Sequence, residues 1–198
     1  MSRLTRLCRA VGVGLAVTTA TLGMTQVANA APAPPPNVPP ALVVPAGNQL
    51  FLVGHVIKGA GVQIYKCNGT SWVFQAPRAT LTGDNGQLVA THFPGPGGAT
   101  DPNWQATDGS KVAGSVLARD PLKLPTDATS IQQLLLKGTP IGASGDEGRL
   151  SATTYIQRLN TGGGVAPPAA DCSAATADTT KDVEYTADYY FYKATGKR

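Results

Sequence analysis

Charge is scarce in this sequence. Only 14% of its 198 residues are Asp, Glu, Lys or Arg, with sixteen cations against twelve anions. Three of the cations, Arg3, Arg6 and Arg9, lie within the first ten residues. Without them the balance is thirteen to twelve, so no electrostatic case for nucleic acid or an anionic membrane surface exists. Histidine occurs twice, at His55 and His92, which confines imidazole chemistry to two positions. The three cysteines are Cys8, Cys67 and Cys172. None has the close Cys/His spacing of a zinc site, and no metal is expected. Beyond residue 30 no apolar run approaches the ~18 residues of a membrane-spanning helix. P-loop, HExxH and G-x-S-x-G patterns are absent. A dinucleotide site needs a glycine turn opening a helix. Gly162-Gly163-Gly164 instead runs into Pro167-Pro168, where helix entry is blocked. No cofactor is expected.

An export signal is present. The arginines form a basic start, residues 10–22 are uncharged and mostly apolar, and Ala28-Asn29-Ala30 supplies the small-x-small cleavage pattern. Residues 1–30 are therefore read as a signal peptide cleaved near Ala30-Ala31, leaving a secreted, extracellular protein. Cys8 leaves with it. The remaining pair, Cys67 and Cys172, is 105 residues apart, and an oxidising compartment makes one disulfide the economical reading.

Residues 31–45 contain seven prolines and read as an extended, solvated linker. A single β-rich domain over residues 46–198 is expected to follow. Residues 50–57 form an apolar run of strand length, fit for burial on both faces. Residues 62–67 alternate, then Asn68-Gly69 marks a turn and residues 71–75 return. Gly83-Asp84-Asn85-Gly86 marks a second hairpin. Residues 183–191 alternate most clearly, with Val183, Tyr185, Ala187, Tyr189 and Phe191 toward the core and Tyr190 and Tyr192 on the other face. Residues 130–133 look like a capping box, so 131–137 suits a short helix or turn running into a strand, and equally a buried strand. The expected fold is all-β: an antiparallel β-sandwich or open barrel with at most one short helix. Long Gly/Pro-rich loops are expected at 93–108, 120–129 and 162–181.

His55, inside an apolar run, reads as a hydrogen-bonded core residue. His92 ends a strand at the start of a Gly/Pro stretch, where binding and catalytic residues gather. With Asp108 or Asp101 to orient it and Ser110 as nucleophile, it forms the only catalytic constellation the sequence suggests, a hydrolase-like one. Trp72, Trp104, Tyr190 and Tyr192 are the ligand-binding candidates, as exposed aromatics that stack on sugar rings or pack a partner.

Several blocks carry a family resemblance: residues 44–50 (VPAGNQL), 61–67 (GVQIYKC), 90–93 (ATHF), 104–112, 154–159 (TYIQRL) and 185–189 (YTADY). In these the chain resembles the secreted domain of unknown function 3455 family, which is familiar from actinobacteria, fungi and plants. The resemblance implies an exported protein of bacterial type and no activity, since the family has no established active site. Residues 94–103 are longer than the family's usual link, which argues against His92 and Trp104 being neighbours. Two classes of function follow. One is a non-catalytic extracellular or cell-surface module that binds a cell-wall component, a small ligand or a protein, or is purely structural. The other is an extracellular hydrolase-like enzyme using the 92–110 region.

Overall fold

The computed structural model describes residues 32–120, 128–142 and 148–196. The leader, its cleavage site and most of the expected 120–129 loop lie outside the described residues.

Nine strands follow in order: β1 Asn48–Val56, β2 Gly61–Cys67, β3 Trp72–Thr82, β4 Leu88–Gly95, β5 Gly98–Ala106, β6 Lys111–Arg119, β7 Leu134–Ile141, β8 Thr153–Gly163 and β9 Thr180–Ala194. They form one antiparallel sheet in the order β1-β3-β2-β9-β8-β7-β6-β5-β4, with β1–β9 and β3–β4 also paired. The β3–β4 ladder joins the last strand of that order to the second, so the eight strands from β3 to β4 run in a hydrogen-bonded ring. Strand β9 is the seam. Its first residues pair with β2, and its remainder with β1. Ring closure leaves few free edges. A ring of about eight strands is just wide enough to be filled by side chains or to hold one small ligand.

The all-β antiparallel fold expected from the sequence is present, as one curled sheet and not as two stacked ones. Among the described residues the only helical segments are isolated 3-10 turns. The helical pattern at 131–137 yields to tertiary partners. Arg158 holds the Gln132 carbonyl, Thr161 holds the Ile131 carbonyl, and Gln133 bonds Asp120 and the Asn160 N–H. Residues 131–133 are consequently irregular and lead straight into β7. The loop expected at 93–108 is mostly the β4–β5 hairpin, closed at Pro96-Gly97, with Gly98 at φ +63°. The connection after β8 carries two 3-10 turns and Cys172, which is bridged to Cys67 at the end of β2 with Cα atoms 5.5 Å apart.

Alternation sorts β9 as its sequence suggests. Tyr185, Ala187, Tyr189 and Phe191 point into the ring with Trp104, Val112, Leu136 and Ile156. The opposite face is a second core, where Leu135, Leu159, Tyr190 and Tyr192 pack beneath Leu42, Val38 and Val44. Part of the proline-rich stretch is thus docked, contrary to its reading as solvated. Leu42 is fully buried, and its carbonyl accepts the Gln157 amide N–H at 2.7 Å. Gln157 in turn accepts the Tyr192 hydroxyl at 2.7 Å. Proline preorganises this strap without needing ladder hydrogen bonds.

Candidate functional site

His92 and Trp104 are Cα partners on β4 and β5. Their rings stack with centroids 4.3 Å apart and planes 5° from parallel. The longer link between them therefore does not separate them; it extends the hairpin beyond the pair. Nδ1 of His92 lies 2.9 Å from the Asn103 carbonyl oxygen and donates to it. Burial lowers the imidazole to about 3, the bond to Asn103 opposing that shift and the charge of Arg158 adding to it. The ring is neutral in the folded protein at any ordinary pH.

Asp108 and Ser110 form a separate unit at the β5–β6 turn. The Ser110 hydroxyl donates to Asp108 Oδ1 at 2.6 Å and accepts the Leu150 N–H at 2.9 Å. Asp108 Oδ2 accepts the Arg149 N–H. The hydrogen bond from Ser110 first, then that from Arg149, hold the Asp108 carboxyl below its usual range. No hydrogen bond joins His92 to either residue. The pair fastens residues 148–150 to the barrel.

The aromatic candidates are equally engaged. Trp104 is buried in the barrel core, edge-on to Tyr189 and Phe191. Tyr190 and Tyr192 do occupy the outer face, but the strap covers them. Trp72 is half-buried beside the disulfide, with the Lys181 ammonium 5.6 Å above its ring. His55 is half-buried on the outer face of β1, between Asp188 and Asp84, and not in the core.

A concave feature of the barrel brings other residues together. A cavity of about 590 Å³ is walled by residues of β2, β3, β4, β5, β6, β7 and β8. Its buried members include Gln63, Tyr65, His92 and Leu134, whereas Thr100, Ser115, Val116 and Arg119 are exposed at its edge. Arg158 enters from β8 on the inward face it shares with Ile156. Its Nε and Nη2 both donate to the Gln132 carbonyl, at 3.1 and 2.7 Å. Burial raises the Tyr65 and Tyr185 hydroxyls, and the nearby Arg158 charge pulls each part of the way back. Tyr65 donates to the Gly164 carbonyl at 2.7 Å. The Gln63 amide nitrogen is buried with no partner among the described residues.

Of the sequence candidates, only His92 lines this cavity. Arg158 and Gln63 were not singled out by the sequence reading, yet both carried a signal. Arg158 is two residues from Ile156 in an alternating strand, which sends a cation inward. Gln63 shares its face with Tyr65 and Cys67, the inward face of β2.

Among the described residues no group of three or more His, Cys, Asp or Glu is placed to hold a metal. No helix among them is long and apolar enough to cross a membrane. Fold and cavity together define a disulfide-bridged antiparallel β-barrel with a polar-floored pocket. The chain belongs to the family described as "Protein of unknown function (DUF3455)", which matches residues 45–193. No curated protein and no solved structure matches the chain.

Proposed function

We propose that this chain is an exported, non-catalytic binding barrel that takes one small molecule into the cavity between β2 and β8. The observation that carries this reading is the cavity itself. Its volume lies within the ~300–1,000 Å³ of ligand sites, and it combines apolar walls with a few buried polar groups. Export is supported by the leader pattern and by the buried Cys67–Cys172 bridge, which suits an oxidising compartment.

The alternative, a hydrolase using the 92–110 region, has one favourable observation: His92 lines the cavity. Against it, an imidazole with a pKa of about 3 is a feeble base near neutrality. Ser110, its intended nucleophile, is committed to Asp108 and Leu150.

The test is a fluorescence titration with N-phenyl-1-naphthylamine, a neutral apolar probe. Saturable one-to-one binding is expected in the wild type. Binding should be weakened at least ~10-fold by Ala99→Trp, which fills the cavity from its β5 wall, and unchanged in Ser110→Ala. The reading fails if binding is absent or indifferent to Ala99→Trp. It also fails if the protein hydrolyses p-nitrophenyl acetate in a manner lost with Ser110→Ala.

A further inference from the structure

The cavity's charge has one sign. Among the described residues its charged lining side chains are Arg119 and Arg158, with His92 and Tyr65 neutral, and no Asp or Glu lines it. Asp101, between Thr100 and Pro102 on β5, is not one of the lining residues. Its carboxylate accepts the Gly97 N–H instead. Among the described residues, Arg158 has no carboxylate within ion-pair distance.

The unused part of Arg158 has a definite shape. A guanidinium offers five N–H donors in a planar fork. The Gln132 carbonyl takes Nε and one Nη2 hydrogen, which occupies one edge of the fork. The Nη1/Nη2 end, with three N–H groups, has no protein acceptor among the described residues. Two parallel N–H groups on such an end match the two oxygens of an acid group. A half-buried cation without a counter-charge is costly to maintain unless a partner arrives. The grip on Gln132 holds the fork oriented beforehand, which reduces the ordering cost of binding. Gln63, 3% exposed and lining the same cavity, holds a second donor with no acceptor among the described residues. Phe74, Pro77, Pro102, Ile131, Leu134 and Val165 give the lining its apolar walls.

Resting on the binding reading above, we propose that the ligand is a small amphipathic acid, its carboxylate or sulfonate head seated end-on against Arg158 and its apolar body against the Phe74–Leu134 walls. A cation has no counter-charge in the described lining. A sugar finds no tryptophan face, because neither Trp72 nor Trp104 lines the cavity.

A matched pair of probes tests this. N-phenyl-1-naphthylamine is neutral, and 1-anilinonaphthalene-8-sulfonate is the same ring system carrying an acid. The sulfonate is the less apolar molecule, so a plain greasy pocket prefers the amine. Here the sulfonate should bind about tenfold more tightly to the wild type. Arg158→Gln should abolish that preference and leave the neutral probe within about threefold. A second measurement needs no variant: decanoate should displace the bound sulfonate at roughly a tenth of the concentration at which decanol does. If the amine binds saturably but the sulfonate shows no preference, or decanol displaces as well as decanoate, the acid assignment is overturned and the binding reading stands. If neither probe binds, both fall together.

Discussion

His55 and Asp188 are Cα partners across the β1–β9 ladder, with Nδ1 of the imidazole 2.6 Å from the carboxylate Oδ1. The other ring nitrogen, Nε2, is 3.0 Å from Asp84 at the tip of the β3–β4 turn. Asn160 of β8 holds the second oxygen of Asp188 at 2.7 Å. One imidazole thus ties three parts of the barrel together near the point where β1 touches β3 at His55 and Thr82. Only the imidazolium offers a donor to both carboxylates at once.

That arrangement sets a pH dependence. Partial burial pulls the His55 pKa down, but the hydrogen bonds to Asp188 and Asp84 and then their charges outweigh it, leaving the value raised. A raised folded-state pKa contributes stability that is fully present below the unfolded value near ~6.5 and is lost as pH rises through the folded value. Between pH 6 and pH 9 the wild-type melting temperature should fall, and His55→Gln should lower it at pH 6 while flattening that fall. Calorimetric scans of both proteins across the range check this. Parallel curves would mean that the proton on His55 contributes nothing to folding.

The Cys67–Cys172 bridge closes a loop of 105 residues between β2 and the approach to β9. Both cysteines are buried, and in the ring β2 and β9 are neighbours. Loop-closure entropy assigns such a bridge about 4.7 kcal/mol. Replacing both cysteines by serine should lower the unfolding free energy by an amount of that order, with a lower urea midpoint and a slope no shallower than the oxidised protein's, because the unlinked unfolded chain exposes at least as much surface. Urea titration of the two forms gives the value directly.

The strap over the outer face is the next element to test. Leu42→Ala removes a fully buried side chain between Leu135, Leu159, Tyr190 and Tyr192. A large-to-small change of this kind costs about 2–5 kcal/mol. The same substitution should leave binding of the naphthylamine probe intact, because none of these residues lines the cavity. Urea unfolding and a probe titration on one preparation separate the two effects.

Ser110 supports the barrel through a buried backbone group. Its hydroxyl is the acceptor for the Leu150 N–H, and Leu150 is wholly buried. In Ser110→Ala that donor is stranded, at a cost of about 1–3 kcal/mol. The expected signature is a lower unfolding midpoint and faster amide exchange at residues 149–151, without change in any ligand titration.

What the sequence made legible was what depends on neighbours along the chain. The inward face of β9, the turns at Asn68-Gly69 and Gly83–Gly86, and the disulfide all follow from alternation, turn chemistry and cysteine parity. What stayed hidden depends on segments far apart in sequence. Tyr190 and Tyr192 were correctly turned from the barrel interior, but only the docking of Leu42, about 150 residues earlier, removes them from solvent. His55 sits in an apolar run because that run lines two cores, while its partners come from positions 84 and 188. Residues 131–133 have a helical pattern whose polar groups are claimed by Asp120, Arg158 and Thr161. The cavity itself is assembled from seven strands, so no local motif announces it.

His92 should produce the limb opposite to that of His55. Its imidazole is sealed between Trp104 and the core, and burial holds its folded value at about 3 against an unfolded value near ~6.5. Below that unfolded value the unfolded chain takes up a proton that the folded chain refuses, so stability falls as pH drops from about 6.5 toward 3. Each unit between the two values is worth about 1.4 kcal/mol, which makes this a steep acid limb. His92→Phe keeps an aromatic ring over Trp104 but removes the titration and the bond to the Asn103 carbonyl. The variant should be less stable at pH 7, and its stability should decline less between pH 6.5 and 4 than that of the wild type. The slope is the decisive quantity, since any loss of packing or hydrogen bonding shifts the whole curve without tilting it. Equal slopes in urea titrations at four pH values would mean that His92 takes up a proton in the folded barrel, and that the cavity beside it admits enough water to solvate an imidazolium.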